Sequence, residues 1–131
     1  MRQSTSVINK DKYITKVQSG NGNELIADEP VEDGGQNKGF APGELLASAL
    51  GACTCITLRM YADRKEWPLD SVTVTVSYER NTGQPGSHFK KEITLKGLLD
   101  DVQRQRLLQI AEKCPVNFTL THPITVETIV V

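Results

Sequence analysis

The chain is poor in aromatic residues and has no excess of charge of one sign. Phe, Trp and Tyr make up 5% of its 131 residues, and the formal net charge at pH 7 is −1. Proteins that bind nucleic acid usually present a basic stripe, or aromatic side chains on which the bases stack. Because the sequence offers neither feature, we expect no nucleic-acid partner.

Long apolar runs are also lacking. The N-terminal sixteen residues contain no apolar core of the kind that a signal peptide has. The longest apolar run is interrupted by Arg59 and falls short of the ~20 residues that cross a bilayer. We therefore expect a cytoplasmic protein with no membrane partner, in a compartment that keeps thiols reduced.

Cysteine is scarce as well, with Cys53, Cys55 and Cys114 as its three occurrences. An odd and small number of cysteines does not make a disulfide scaffold, so these residues are packing residues, metal ligands or reactive thiols. A chain of 131 residues is long enough to fold without disulfide staples. Its length predicts a single domain over residues 1–131.

The hydrophobic patterns predict an α+β fold, because strands and helices cluster along the chain instead of alternating. The predicted order is βββ-α-ββ-α-β. It comprises strands at 4–9, 12–18 and 23–28, a loop over 29–39, a helix from Pro42 to about Lys65, strands at 70–79 and 89–97, a helix over 98–114 capped by Asp100 and ended by Pro115, and a final strand over 122–131.

Two elements have clearly defined apolar faces. Strand 70–79 alternates strictly, so that Val72, Val74 and Val76 face one way. The helix over 98–114 is amphipathic, and its apolar positions are Leu98, Val102, Leu107, Ile110 and Ala111.

The long helix is unusual because it has no charged residue from Leu45 to Leu58. A helix that is apolar all round is expected to be buried on every side, which a domain of this size achieves only with difficulty. Several small residues, including Ala47, Ala49 and Gly51, would let another helix approach closely. We therefore predict a homodimer in which this helix packs against its own copy; the alternative is a helix that lies under the sheet of its own chain.

Cys53 and Cys55 lie ~200° apart around this helix, because each residue advances it by ~100°. They therefore cannot hold one metal ion together or form a disulfide with each other while the segment is helical. Cys114, at the end of the second helix, could meet either one, and the spacing leaves the choice open.

The segments APGELLASALGACTCITL at 41–58 and AEKCPVN at 111–117 resemble the OsmC/Ohr family of thiol-dependent organic hydroperoxide reductases. In that family a proline and an acidic residue open a small-residue helix that carries a reactive cysteine. A second cysteine, followed by a proline, comes some sixty residues later. Pro42, Glu44 and Cys53 match the first motif, and Cys114 with Pro115 matches the second.

The resemblance implies an OsmC-like fold and an intertwined homodimer, with the two cysteine helices at its centre and the active sites at the subunit interface. It assigns Cys53 as the thiol that attacks the peroxide, Cys114 as the resolving thiol, and Glu44 as the acidic residue of the site. It implies a small hydrophobic hydroperoxide as substrate and an external dithiol as reductant, which is of the lipoyl type in one branch of the family. No metal, flavin or haem cofactor is implied.

The family also supplies an arginine from a loop upstream of the helix, whereas residues 29–41 of this chain contain Lys38 as their single cation. Arg59 follows Cys53 by six residues and is expected on another face of the helix. This departure favours a rival reading, in which a non-peroxidase dimer of the same fold binds a small hydrophobic ligand or takes part in thiol–disulfide exchange. A second rival is an interaction module whose cysteines are inert. Cys55 is interpreted as a packing residue.

Overall fold

A computed structural model describes residues 1–81 and 83–131. Two compact units, Met1–Leu46 and Ala47–Val131, make up the chain. The elements are β1 (Ser4–Ile8), β2 (Thr15–Ser19), β3 (Glu24–Ala27), a 3₁₀ turn (Val31–Asp33), α1 (Pro42–Lys65), β4 (Leu69–Arg80), β5 (Ser87–Gly97), α2 (Asp101–Ala111) and α3 (Pro115–Leu120). Thr82, between the two long strands, lies outside the described residues.

The N-terminal unit is built on an antiparallel sheet in the order β1-β2-β3. Ser4 pairs with Ser19, and Thr15 pairs with Ala27. The turn between β2 and β3 needs a glycine, because Gly22 adopts φ +89°, a value that a residue with a Cβ reaches only at a cost. The three predicted strands are confirmed.

The loop after β3 is held by one carboxylate, that of Asp28. This side chain is 2% exposed. Its Oδ1 accepts hydrogen bonds from the backbone N–H groups of Tyr13 and Glu29, and its Oδ2 accepts from those of Gln36 and Lys38, at 2.8–3.1 Å. Burial alone would raise the pKa of this carboxyl, but the four hydrogen bonds favour its charged form and hold the pKa below its usual range. Asp28 thus fixes the path of the predicted 29–39 loop, which leads into α1.

The C-terminal unit contains the antiparallel hairpin β4–β5, whose register runs from Leu69 opposite Gly97 to Arg80 opposite Ser87. Its inward face carries the alternate residues of both strands. The predicted inward set of β4, namely Val72, Val74 and Val76, is confirmed. The inward set of β5 consists of Phe89, Lys91, Ile93 and Leu95.

A single face of α1 is buried against this unit, and the cover of its other side by a second copy stays a prediction. Its buried residues are Leu50, Gly51, Thr54, Leu58 and Ala62. Leu58 and Ala62 join Leu69 and three residues of α2 (Leu107, Ile110 and Ala111) in the hydrophobic core. On the opposite face Ile56 and Met60 are 54% and 61% exposed.

The apolar segment of α1 is also longer than expected, because the sequence predicted no run that could cross a bilayer. By length and mean hydropathy, 1.4 over eighteen residues, it is long and apolar enough to cross a membrane. One such helix is weak evidence of a membrane protein, because the core helix of a globular protein meets the same criteria.

Both ends of α1 are closed by local hydrogen bonds. At the start, Oε1 of Glu44 accepts a hydrogen bond from the N–H of Ala41 at 2.9 Å. At the end, the N–H of Trp67 donates to the carbonyl of Ala62 and that of Glu66 donates to Asp63, while Glu66 adopts φ +56°. These two hydrogen bonds form a Schellman cap. The ends predicted for this helix, Pro42 and Lys65, are therefore confirmed.

The second helix is shorter than predicted and is rotated away from two of its expected core positions. Asp100 caps α2 and forms a capping box with Gln103. Leu98 precedes the helix and is 91% exposed, and Val102 is 78% exposed. Val102 lies about 140° from Leu107 around the helix, so both cannot face the same core.

The end of the chain differs most from the prediction. Pro115 ends α2 as expected, but it also starts the short helix α3 as its first residue, because proline suits that position. In the described part of the chain, residues 122–131 form no strand, so the predicted final strand is wrong for the single chain. A strand forms only against a partner edge, and the apolar side chains of Ile124, Val126 and Val130 are exposed instead.

The four hydrogen bonds to Asp28 predict that the stability of the protein depends on pH. Asp28→Asn replaces a carboxylate oxygen by an NH₂ group that faces backbone donors, so we expect a destabilised protein at pH 7. Because the folded pKa lies below the unfolded one, the carboxylate stabilises the protein fully above the unfolded value of about 3.9, and this is lost as the pH falls through the folded pKa. We measure the free energy of unfolding of both proteins in urea at several pH values. The difference between wild type and variant should become smaller as the pH falls.

Asp33→Asn is the matched control, since Asp33 is an exposed carboxylate of the same loop. It should leave stability nearly unchanged at either pH. A difference for Asp28→Asn that does not depend on pH would contradict the role given to the charge.

Candidate functional site

Cys114 occupies the corner between α2 and α3. It is fully buried and is the N-cap residue of α3, where its extended backbone lets the chain turn before Pro115. Its Sγ accepts a hydrogen bond from the backbone N–H of Asn117 at 3.3 Å. The sulfur therefore stands where the oxygen of Ser, Thr or Asp usually caps a helix.

Thr54 brings this sulfur onto the central helix. Its side chain is fully buried between the two half-buried cysteines of α1, and its Oγ1 lies 3.6 Å from Sγ of Cys114. The same Oγ1 lies 2.9 Å from the carbonyl oxygen of Leu50. A hydroxyl has one proton, so Thr54 donates it either to Leu50 or to Cys114.

Lys91 completes this cluster from β5. Its Nζ donates to Oγ1 of Thr54 at 3.4 Å and to the carbonyl oxygen of Ala111 at 2.9 Å. The ammonium group thus reaches the thiol of Cys114 through one intervening hydroxyl.

Sequence reasoning missed Lys91 and Thr54, although each had a signal. In the strand FKKEITL, Lys91 has the same alternation as Phe89, Ile93 and Leu95, which places a charge on an apolar face. Thr54 is the polar residue between two cysteines on a helix expected to be buried. A charge and a hydroxyl on buried faces need partners, and here they are partners of each other.

The contacts of α1 separate its two cysteines. Cys55 lies on the β4 side of the helix, where its Sγ is 3.9 Å from the carbonyl oxygen of Val72. Gly51, one turn earlier, faces the same strand, since a Cβ placed there would lie 3.5 Å from Cγ2 of Val76. This supports the interpretation of Cys55 as a residue that packs on the sheet.

Cys53 lies on the other side of Thr54, the side of Leu50, because it precedes Thr54 by one residue and follows Leu50 by three. Leu50 lines a cavity of about 380 Å³ together with Asn117 and Leu120 of α3. Cys114 caps that same helix. Of the two cysteines on α1, Cys53 is therefore the one on the side facing the element that carries Cys114.

Three arginines of the C-terminal unit have other partners. Arg59 donates to the carboxylate of Asp63 at 3.1 Å and to the carbonyl of Leu69 at 2.7 Å, so it ties the end of α1 to β4. Arg104 donates to carbonyls at the end of β5, and Arg106 donates to the hydroxyl of Tyr61. The expectation that Arg59 lies away from Cys53 agrees with these contacts.

Glu44 and His122 have local roles. The bond from Ala41 to Glu44 gives that carboxylate a part in starting α1, and its assignment to the site stays a prediction. His122 stacks on Phe118 at 3.9 Å between ring centroids, and its Nδ1 lies 2.7 Å from the carbonyl of the same residue. This histidine therefore ends the α3 turn.

Comparison with known families now identifies the fold. A family model described as OsmC-like protein matches residues 35–129. The chain belongs to the OsmC-like protein family. The match spans both cysteine motifs, and the resemblance seen in the sequence is confirmed.

Solved structures agree with this assignment. A Psychrobacter arcticus protein described as an osmotic stress induced and detoxification response protein superimposes with a TM-score of 0.80 at 26% identity, over 94% of this chain and 90% of that chain. An OsmC-like protein from Mycoplasma pneumoniae gives a TM-score of 0.79 at 22% identity, over 92% and 87%. The predicted α+β, OsmC-like fold is confirmed.

A third similar structure is that of a Vibrio cholerae protein described as an organic hydroperoxide resistance protein, with captopril bound in one of its active sites. It gives a TM-score of 0.66 at 24% identity, over 91% of this chain and 83% of that chain. A comparison with curated proteins finds no match.

The burial of the three thiols predicts an order of alkylation. In the reduced, folded protein, iodoacetamide should label Cys53 and Cys55, which are half-buried, and should spare Cys114, which is fully buried. The measurement is peptide mass spectrometry at several times, with a sample in urea as the control in which all thiols react. Early labelling of Cys114 in the folded protein would contradict the placement of its sulfur.

Proposed function

We propose that this protein is a thiol-dependent peroxidase that reduces organic hydroperoxides through Cys53 and Cys114. The observation that carries the proposal is the contact between Cys114 and Thr54, the residue next to Cys53 on α1. Family membership and neighbours named for organic hydroperoxide resistance support a peroxiredoxin-like role.

The proposed reaction begins at Cys53. Its thiolate attacks one oxygen of the hydroperoxide, the O–O bond breaks, and the alkoxide takes a proton and leaves as an alcohol. The sulfenic acid left on Cys53 is then attacked by Cys114, which forms an S–S bond and releases water. An external dithiol, of which a lipoyl group is one example, restores both thiols by exchange.

The helix that carries Cys53 favours an apolar substrate. It has only uncharged residues from Leu45 to Leu58, whereas the cavity beside Lys91 is lined by polar residues such as His88 and Glu112 as well as by Leu50 and Phe89. We therefore propose that small hydrophobic hydroperoxides are preferred over hydrogen peroxide, and that the protein works in the cytoplasm, where dithiol reductants are maintained.

One observation keeps a second function open. Arg59, Arg104 and Arg106 are bonded elsewhere, so none of these guanidinium groups is available to stabilise the Cys53 thiolate in the described contacts. The rival is a dimer of the same fold that handles thiol–disulfide exchange or binds a small hydrophobic ligand without reducing peroxides.

The peroxidase proposal is tested by adding one equivalent of cumene hydroperoxide to the reduced protein. Peptide mass spectrometry should find a rapid Cys53–Cys114 disulfide. Cys53→Ser should abolish it, and Cys114→Ser should leave a Cys53 sulfenic acid that dimedone traps. The matched control is Cys55→Ser, which should form the disulfide at the wild-type rate.

Three thiols that stay reduced for hours under these conditions would overturn the peroxidase proposal and leave the rival. Equal rates with hydrogen peroxide and cumene hydroperoxide would overturn the substrate preference alone.

We also propose that the protein is a homodimer formed through the exposed face of α1. Ala49, Ile56 and Met60 are exposed on this face. Together with Cys53 they follow a spacing of four, three and four residues, which lines up one side of a helix. A seam of this kind would place Cys53 at the edge of the contact between the two copies.

Met60→Glu tests this arrangement, because a carboxylate in an apolar helix contact is costly to bury. Sedimentation equilibrium should show a dimer for wild type and a dissociation constant raised by at least about tenfold for the variant. Val102→Glu is the control, as Val102 is also exposed but lies on α2. A monomeric wild type, or a dimer that Met60→Glu leaves intact, would overturn the proposed interface.

A further inference from the structure

A line of polar contacts ends on the sulfur of Cys114. Nζ of Lys91 donates to Oγ1 of Thr54, and Oγ1 lies 3.6 Å from Sγ. The N–H of Asn117 donates to the same sulfur from the other side. The single proton of this hydroxyl donates either to the carbonyl oxygen of Leu50, 2.9 Å away, or to Sγ. Negative charge on Sγ favours the second arrangement, in which the hydroxyl of Thr54 and the N–H of Asn117 both donate to the sulfur.

The position of Lys91 is fixed by its second bond, to the carbonyl of Ala111 at 2.9 Å. Within the described residues, none of the ion pairs includes Lys91, whereas its neighbour Lys90 pairs with Glu92 at 3.3 Å. His88 and Glu112 line the same cavity as Lys91. The lysine charge is thus directed into the unit and towards the thiol cluster.

The two sulfurs of the proposed disulfide differ in access. Cys53 is half-buried, whereas Cys114 is fully buried. A hydroperoxide has to reach Cys53, and a thiol can use the same opening. In thiol–disulfide exchange the rate depends on which sulfur is accessible and on how well the departing sulfur carries negative charge.

We infer that the reducing dithiol attacks Cys53 and that Cys114 is the departing thiolate, with Lys91 acting on it through Thr54 as a positioning residue. This inference rests on the proposed Cys53–Cys114 disulfide. It adds the direction of the exchange step and two residues that take part in it.

A thiolate of the external dithiol forms an S–S bond with Sγ of Cys53, the Cys53–Cys114 bond breaks, and its electron pair stays on Sγ of Cys114. The second thiol of the reductant then attacks the reductant's first sulfur, which is bonded to Sγ of Cys53, and this bond breaks to release Cys53. The dithiol leaves as a disulfide, and the two protons it gave up end on the protein thiols or in solvent.

The experiment starts from protein oxidised with diamide, so that it does not depend on peroxidase activity. A monothiol, 2-mercaptoethanol, is added, the reaction is quenched with acid, and free thiols are alkylated. Peptide mass spectrometry should find the mercaptoethanol adduct on Cys53 and the alkyl group on Cys114.

The variants separate the lysine charge from general effects on the fold. Lys91→Met should slow formation of the adduct at least about tenfold, the lower end for a hydrogen bond to a charged group. Lys91→Arg keeps a cation and should recover most of the rate, while Thr54→Val should slow it as Lys91→Met does. Lys90→Met, which removes the neighbouring exposed charge, should react at the wild-type rate.

An adduct on Cys114, or a rate for Lys91→Met within twofold of wild type, would overturn the inference and leave the peroxidase proposal standing. A Cys53–Cys114 disulfide that forms with diamide but not with hydroperoxide would overturn the peroxidase proposal alone. Failure to form this disulfide with either oxidant would overturn both.

Discussion

The burial of one face of α1 is the constraint on which the C-terminal unit depends. Leu58 and Ala62 supply the apolar part of this face and join the core formed with β4 and α2. Thr54 supplies its polar part and needs partners because it is fully buried. Those partners are Leu50, Lys91 and Cys114. The packing of the helix therefore also brings Lys91 and Cys114 to Thr54.

The opposite face of the same helix is exposed in the single chain, and this keeps Cys53 accessible. A helix covered on all sides would hide Cys53, whereas a half-buried Cys53 can meet a substrate. The exposed apolar side chains of Ile56 and Met60 carry a cost in water, which a second copy of the chain would remove. Fold, oligomeric state and chemistry are therefore linked through one segment in the proposed function.

The N-terminal unit uses a different device for a similar purpose. Its loop has little apolar surface with which to hold a shape, and one buried carboxylate gathers four backbone donors instead. Charge-assisted hydrogen bonds of this type are stronger than neutral ones and specify direction. The segment that leads into α1 is thereby fixed without a large core.

Much of this protein was determined by the sequence itself. The strict alternation of β4, the bounds of α1 between Pro42 and Lys65, and the cap at Asp100 follow from local preferences that a short segment expresses alone. The spacing of the cysteine motifs pointed to the OsmC-like family, and the family match confirms it.

The tertiary structure decided what depends on distant partners. Only it brought Lys91, Thr54 and Cys114 together from three elements, and only it showed that Cys55 contacts strand β4. It also turned Val102 outward and left residues 122–131 without a strand. The reason is the same in each case: which face of a helix is buried, and whether an extended segment finds an edge, are set by neighbours far away in the sequence.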